Sequence, residues 1–206
     1  MNEIDLSLYL VTDNSEDEGK FLNTIEEAIK GGTTVVQLRE KTADTLDFYN
    51  LALKVKEITT KYNIPLIIND RVDVALAIDA DGVHVGQSDM PCDVTRRLIG
   101  EDKILGVSAS TVDEAKKAQK DGADYIGTGA VFPTATKKDA EKVTKRELKE
   151  IVDSIDIPVV AIGGITLENA HELTDTGIKG FSVVSAIMSS ENPKKSSEEL
   201  LKIFNS

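Results

Sequence analysis

Cysteine is almost missing: Cys92 stands alone in 206 residues, which excludes an internal disulfide and a cysteine-based metal cluster. Histidine is nearly as scarce, with only His84 and His171, and no Ser–His–Asp set or His/Cys zinc constellation can be assembled. No apolar run approaches the roughly 20 residues needed to cross a bilayer. The opening residues Met1-Asn2-Glu3-Ile4-Asp5 carry neither the basic nor the apolar region of a secretory signal, so a cytoplasmic location is expected by default. Positive charge is in deficit, with 24 Lys and Arg against 36 Asp and Glu and a net charge of −12. A field of that sign repels nucleic acid and anionic membranes, so neither is expected as a partner. Against that background a local basic cluster carries more information.

What is present is a soluble composition, 40% apolar and 29% charged, and a length that fills one core, so residues 1–206 are expected to form one domain. Short β-rich runs alternate with helical segments. The expected strands are Leu8–Val11, Thr34–Leu38, Pro65–Ile68, Gly82–Val85, Ile104–Val107, Tyr125–Gly127, Pro158–Ile162 and Gly180–Val184. Several are continuous Val/Ile/Leu runs, as parallel strands buried on both faces require. Helical spacing marks Phe21–Ile29, Leu46–Thr60, Thr111–Gln119 and Arg146–Val152. Thr111 with Glu114, and Thr166 with Asn169, carry a cap hydroxyl followed by a carboxylate or amide three residues on. Alternation of about eight units fits a closed barrel or an open doubly wound sheet. The first strand runs into Val11-Thr12-Asp13-Asn14 rather than a Gly-rich dinucleotide turn, which favours a (β/α)8 TIM barrel with its chemistry at the C-terminal mouth.

The residues that follow the strands form a coherent set. In Gln37-Leu38-Arg39-Glu40-Lys41, alternation puts Gln37, Arg39 and Lys41 on one face, a site for a multiply charged anion such as diphosphate; a surface ion-pair strip with Glu40 is the competing reading. Asn69-Asp70 and Gly86-Gln87-Ser88-Asp89 bring two carboxylates to adjacent loops. Each aspartate alone reads as a helix cap; beside Arg39 and Lys41 the pair reads as a magnesium–diphosphate site. Ser108 adds a hydroxyl, which in a loop is often only a turn residue. The segment from Gly129 to Lys142 is long for a compact barrel and basic in an acidic protein, so a lid is expected, with a plain surface loop as the competitor. Gly163-Gly164 after the seventh strand and Ser185 after the eighth suit a monophosphate site. His84, within a strand, reads as a packed and hydrogen-bonded ring, and Cys92 as a small helix residue. Little provision for acid–base chemistry is visible.

The chain resembles the thiamine-phosphate synthase family over essentially its whole length. The resemblance rests on Leu8-Tyr9-Leu10-Val11-Thr12-Asp13, Gln37 to Lys41, Ile68-Asn69-Asp70-Arg71 and Gly82 to Asp89. It continues through Gly106-Val107-Ser108, Pro133 to Lys137, Ile162-Gly163-Gly164-Ile165 and Val184-Ser185-Ala186. The resemblance implies that Gln37, Leu38, Arg39, Glu40, Lys41, Asn69, Ser108 and Lys137 bind hydroxymethylpyrimidine diphosphate, with Arg39, Lys41, Lys137 and Ser108 acting in catalysis. It implies that Asp70 and Asp89 hold magnesium, and that Thr134, Ala135, Thr136, Gly164, Val184 and Ser185 bind a thiazole phosphate. Both partners are then small molecules, and the oligomeric state stays open. The implied transferase reaction releases diphosphate and forms thiamine phosphate. Two other readings remain: a thiazole tautomerase on the same barrel, which calls for a histidine-type base, and a non-catalytic phosphate-ligand sensor.

Overall fold

The computed structural model describes residues 4–13, 17–134 and 142–206. Eight strands, β1 (Leu8–Val11), β2 (Val35–Leu38), β3 (Leu66–Asn69), β4 (Gly82–Val85), β5 (Ile104–Ser108), β6 (Tyr125–Thr128), β7 (Val159–Ile162) and β8 (Gly180–Val183), close in chain order into a barrel. Every neighbouring pair is parallel, β8 with β1 included. This is the expected TIM barrel.

Strand residues alternate between two environments. Leu8, Leu10, Val36, Leu38, Ile68 and Val83 pack outward against the helices, whereas Tyr9, Val11, Val35, Ile67, Tyr125 and Val160 fill the barrel interior. Both faces are therefore buried, which is why the strands read as apolar runs rather than as alternation. The interior is not wholly apolar: Gln37, His84 and Ser182 are buried there among the strands.

Around the barrel run α1 (Glu18–Lys30), α2 (Thr45–Lys61), α3 (Val72–Ala77), α4 (Cys92–Ile99), α5 (Val112–Lys120), α6 (Lys145–Ser154), α7 (Ser185–Met188) and α8 (Pro193–Phe204). Capping boxes start α5, with Thr111 and Glu114, and α6, with Thr144 and Glu147. The Thr166–Asn169 pattern caps the turn that follows, with Thr166 Oγ1 accepting from Glu168 N at 3.3 Å, and it does one thing more. Asn169 Oδ1 accepts from Thr166 N at 2.8 Å and Asn169 Nδ2 donates to the Gly164 carbonyl at 2.8 Å, so the amide braces the loop after β7. Only a 3-10 turn, Ala170–Leu173, follows. His171 lies on that turn, away from the mouth. No helix among the described residues is long and apolar enough to cross a membrane.

Candidate active site at the barrel mouth

The C-terminal strand ends surround a cavity of about 770 Å³. Its β2 wall is set by Thr12, which is fully buried just past β1. Thr12 N donates to Gln37 O at 2.9 Å, and Thr12 Oγ1 accepts from Arg39 N at 3.0 Å. These bonds extend the β1–β2 ladder beyond its last strand residue and hold the Arg39 backbone at the rim. Gln37, Arg39 and Lys41 all line the cavity, as their shared parity on an extended segment requires. Leu38 and Glu40, of opposite parity, do not. The Leu38 side chain is fully buried in the helix-facing layer. Glu40 turns back on its own loop and accepts from Thr42 N at 2.6 Å and Ala43 N at 3.0 Å. Burial raises the Glu40 carboxyl, but these bonds outweigh it and hold the group below its ordinary range. Neither side chain lines the cavity; Glu40 shapes the loop that carries Lys41.

Asn69 ends β3 with its Nδ2 buried and without a hydrogen-bond partner. Such an atom costs about 1–3 kcal/mol when left unpaired, and it lies in the cavity wall. Asp70 follows in a left-handed conformation, φ 61°, which aspartate tolerates better than most residues. Its amide donates to the His84 carbonyl at 2.8 Å, and its carboxylate pairs with the Lys41 ammonium. Asp89 Oδ2 accepts from Gly86 N at 2.8 Å. Neither aspartate is the cap that either would be if read alone: the N-cap residue of α3 is Arg71 and that of α4 is Pro91, neither with a side-chain cap bond. Burial raises the Asp70 carboxyl above its ordinary range; Lys41 opposes this, and a hydrogen bond with Asp89 reinforces it. Two carboxylates thus meet in a half-buried place where both can ionise fully only beside added positive charge. No cluster of three or more His, Cys, Asp or Glu forms among the described residues, and two carboxylates are the complement that magnesium combines with water and phosphate oxygens. The donor set fits a hard divalent cation.

Ser108, at the end of β5, also lines the cavity, with Gln87 Nε2 donating to its carbonyl at 2.7 Å. Directly beneath, His84 is the hydrogen-bonded ring expected of it, bound at both nitrogens. Across the mouth stand Thr134, Gly163, Gly164, Val184 and Ser185. Gly163 and Gly164 have φ of 103° and 65°, and a Cβ on Gly164 would lie 2.4 Å from the Pro133 carbonyl oxygen. Glycine is required there on both counts. The β6 and β7 loops are further joined by Val131 N to Ile162 O and Phe132 N to Gly163 O, each 3.0 Å. Ala135, Thr136 and Lys137, together with the centre of the expected lid, lie outside the described residues. Cys92 is a buried helix residue whose thiol burial pushes up to about 11, so it is inert at neutral pH.

Sequence reasoning missed Thr12, Tyr9 and Tyr125 as parts of this site. The tyrosines carried a signal, since they sit at interior parity in strands, where a hydroxyl needs a partner when buried.

The family model described as thiamine monophosphate synthase matches residues 8–187. A thiamine-phosphate synthase of Methanobrevibacter smithii is 76% identical over 204 residues, covering 99% of this chain and 98% of the relative. One of Clostridium tetani is 56% identical, covering 98% and 97%. Among solved structures, the thiamine phosphate pyrophosphorylase of Pyrococcus furiosus superposes with a TM-score of 0.89 at 42% identity, covering 98% of this chain and 97% of the other. These matches run through every strand that builds the mouth, and with the carboxylate pair, the cations and the facing glycine loop they lead to one assignment: the chain belongs to the thiamine monophosphate synthase family.

Proposed function

We propose that the mouth binds hydroxymethylpyrimidine diphosphate with magnesium on its β2–β4 side and a thiazole phosphate on its β7–β8 side, and joins them with release of diphosphate. The protein is a transferase of thiamine biosynthesis, and this reading names its substrates and cofactor. The observation that supports it is one cavity lined by Arg39, Lys41, Asp70 and Asp89 from the β2–β4 loops and by Gly163, Gly164 and Ser185 from the β7–β8 loops.

Arg39 and Lys41 hold the diphosphate oxygens by charge-assisted hydrogen bonds. Asn69 Nδ2 has a buried donor to offer an acceptor atom of the same substrate. Asp70 and Asp89 would hold the magnesium, which when bound neutralises charge on the leaving diphosphate. Lys137, outside the described residues, is assigned the same role as Arg39. Backbone amides of Gly164 and Ser185 receive the thiazole phosphate, with Thr134 beside them. The carbon–oxygen bond of the pyrimidine breaks as diphosphate leaves, and the electron pair of the thiazole nitrogen closes on the resulting cation. That nitrogen carries no proton, so no base is needed. Positioning and electrostatic stabilisation then account for the rate. The cytoplasm is the proposed location.

The test is direct: purified protein with both substrates and magnesium is expected to form thiamine phosphate and diphosphate in equal amounts, and chelation of the metal is expected to stop it. Absence of product with metal and both substrates present refutes the reading.

A further inference from the structure

Beneath the mouth, four buried side chains form a continuous hydrogen-bonded line that ends on Ser108. Gln37 Nε2 donates to Tyr9 Oη at 2.7 Å. Tyr9 Oη lies 2.6 Å from Tyr125 Oη, Tyr125 Oη lies 3.0 Å from His84 Nδ1, and His84 Nε2 lies 2.9 Å from Ser108 Oγ. The barrel makes room for the line at two glycines. A Cβ on Gly106 would fall 2.2 Å from Tyr125 Oη and 2.5 Å from His84 Nδ1, and one on Gly127 would fall 3.1 Å from His84 Cε1.

The line has a direction. Because the Gln37 amide donates, the Tyr9 proton goes on to Tyr125, and the Tyr125 proton goes on to His84 Nδ1. A neutral imidazole that accepts at Nδ1 carries its proton on Nε2, and that proton points at Ser108 Oγ. Ser108 thereby accepts from below, and its own hydroxyl proton is left for the cavity that it lines. With Gln37 Nε2 in this place, reversing the line would turn two donors against each other at the cost of a buried unsatisfied group; the opposite direction requires the amide turned over, with Oε1 accepting from Tyr9. Burial also holds both phenols well above their ordinary range, so each keeps the proton that it passes along.

We propose that Tyr9, Tyr125 and His84 are positioning residues that act through Ser108, fixing it as a one-way donor to an acceptor oxygen of the departing diphosphate. This rests on the substrate reading above for the identity of the acceptor; the direction of the line does not depend on it.

Two measurements test it. With only two histidines in the chain, His171→Gln leaves a single imidazole for 15N NMR on the ligand-free protein. The proton is expected on Nε2, and in Tyr125→Phe it is expected to redistribute towards Nδ1. A wild-type ring protonated on Nδ1 overturns the proposal, whatever the enzyme makes. Second, Ser108→Ala is expected to lower kcat about ten- to a hundredfold with little change in KM, the size of one lost donor to a charged acceptor. Tyr125→Phe is expected to lower kcat by a similar factor when Ser108 is present and by less than about twofold when it is alanine. His84→Gln, which keeps a donor near Ser108, is expected to retain more activity than His84→Leu. Equal losses from Tyr125→Phe in both backgrounds mean a merely structural tyrosine and overturn the proposal. If the wild type makes no thiamine phosphate, the substrate reading fails while the NMR result still decides the direction of the line.

Discussion

The guanidinium of Arg96 reaches from α4 across the N-terminal ends of β5 and β6, opposite the mouth. Nε donates to Gly122 O at 3.0 Å, and Nη1 to Gly100 O and Lys103 O, each at 2.7 Å. Nη2 meets Asp124 Oδ2 at 2.6 Å, and the same carboxylate oxygen accepts from Leu105 N at 2.7 Å. One side chain therefore ties the turns that launch two neighbouring strands. Arg96→Met keeps much of the volume and removes all four bonds. Breaking a buried pair costs about 3–5 kcal/mol. The Asp124 side chain is 22% exposed against 9% for Arg96, so water partly rescues the carboxylate and the low end, about 3 kcal/mol, is expected. At roughly 2–4 °C per kcal/mol for a domain of this size, Tm should fall by about 6–12 °C. Urea unfolding of wild type, Arg96→Met, Asp124→Asn and the double variant measures both the loss and the coupling. Turnover per folded molecule should stay within about twofold, because in this fold the strand N-termini serve stability and the C-termini chemistry. A loss below about 1 kcal/mol would refute the reasoning, and so would a large fall in kcat at full folding.

Asp70→Asn and Asp89→Asn are each expected to abolish magnesium-supported turnover yet leave circular dichroism and the unfolding midpoint close to wild type, since neither caps a helix; unchanged metal dependence in a kinetic titration refutes the metal role. Thr12→Val is expected to leave the Arg39 amide unpaired, costing about 1–3 kcal/mol and weakening diphosphate binding by calorimetry; unaltered binding means that Arg39 needs no such hold. Glu40 has a folded pKa below its unfolded value, so its contribution is present above the unfolded pKa and lost as pH falls through the folded one. Amide exchange at Thr42 and Ala43 should therefore accelerate in that acid window, beyond the intrinsic trend, and Glu40→Ala should show the faster exchange at neutral pH. An electron-withdrawing substituent on the pyrimidine is expected to slow single-turnover bond formation steeply, about tenfold per 1.4 kcal/mol of cation destabilisation; a near-normal rate defeats cleavage before capture.

The strands and most helices were legible because burial on both faces leaves continuous Val/Ile/Leu runs that few other contexts produce. The parity of Gln37, Arg39 and Lys41 was legible too, since period two follows from backbone geometry alone. The same rule, applied strictly, turns Leu38 and Glu40 away from the cavity, whereas the family resemblance treats the segment as one block. The segment after β7 was legible only in part. Thr166 and Asn169 have the spacing of a cap and make one, but Asn169 has a second function, and its Nδ2 also binds the Gly164 carbonyl. Nothing in local sequence states that the Gly164 carbonyl needs this partner. Likewise, Asp70 and Asp89 each read alone as a cap, and only beside Arg39 and Lys41 does the pair read as a cation site, because like charges are brought together only by tertiary structure.

That contact also explains how the polar interior and the charged mouth divide their work. At the rim, on the proposed reading, Lys41 and a cation would neutralise carboxylates that repel each other, and the leaving diphosphate would complete the balance of charge. No proton would have to move there. An interior histidine is consequently not needed as a base, and its two nitrogens are both engaged, one by Tyr125 and one by Ser108. A tautomerase on this barrel would need such a nitrogen presented to its substrate, and here Nε2 is instead covered by a hydroxyl. The feature that made the sequence look poor in acid–base chemistry is thus the one that lets a buried line of neutral groups hold a fixed direction: a histidine free to charge would reverse or break it.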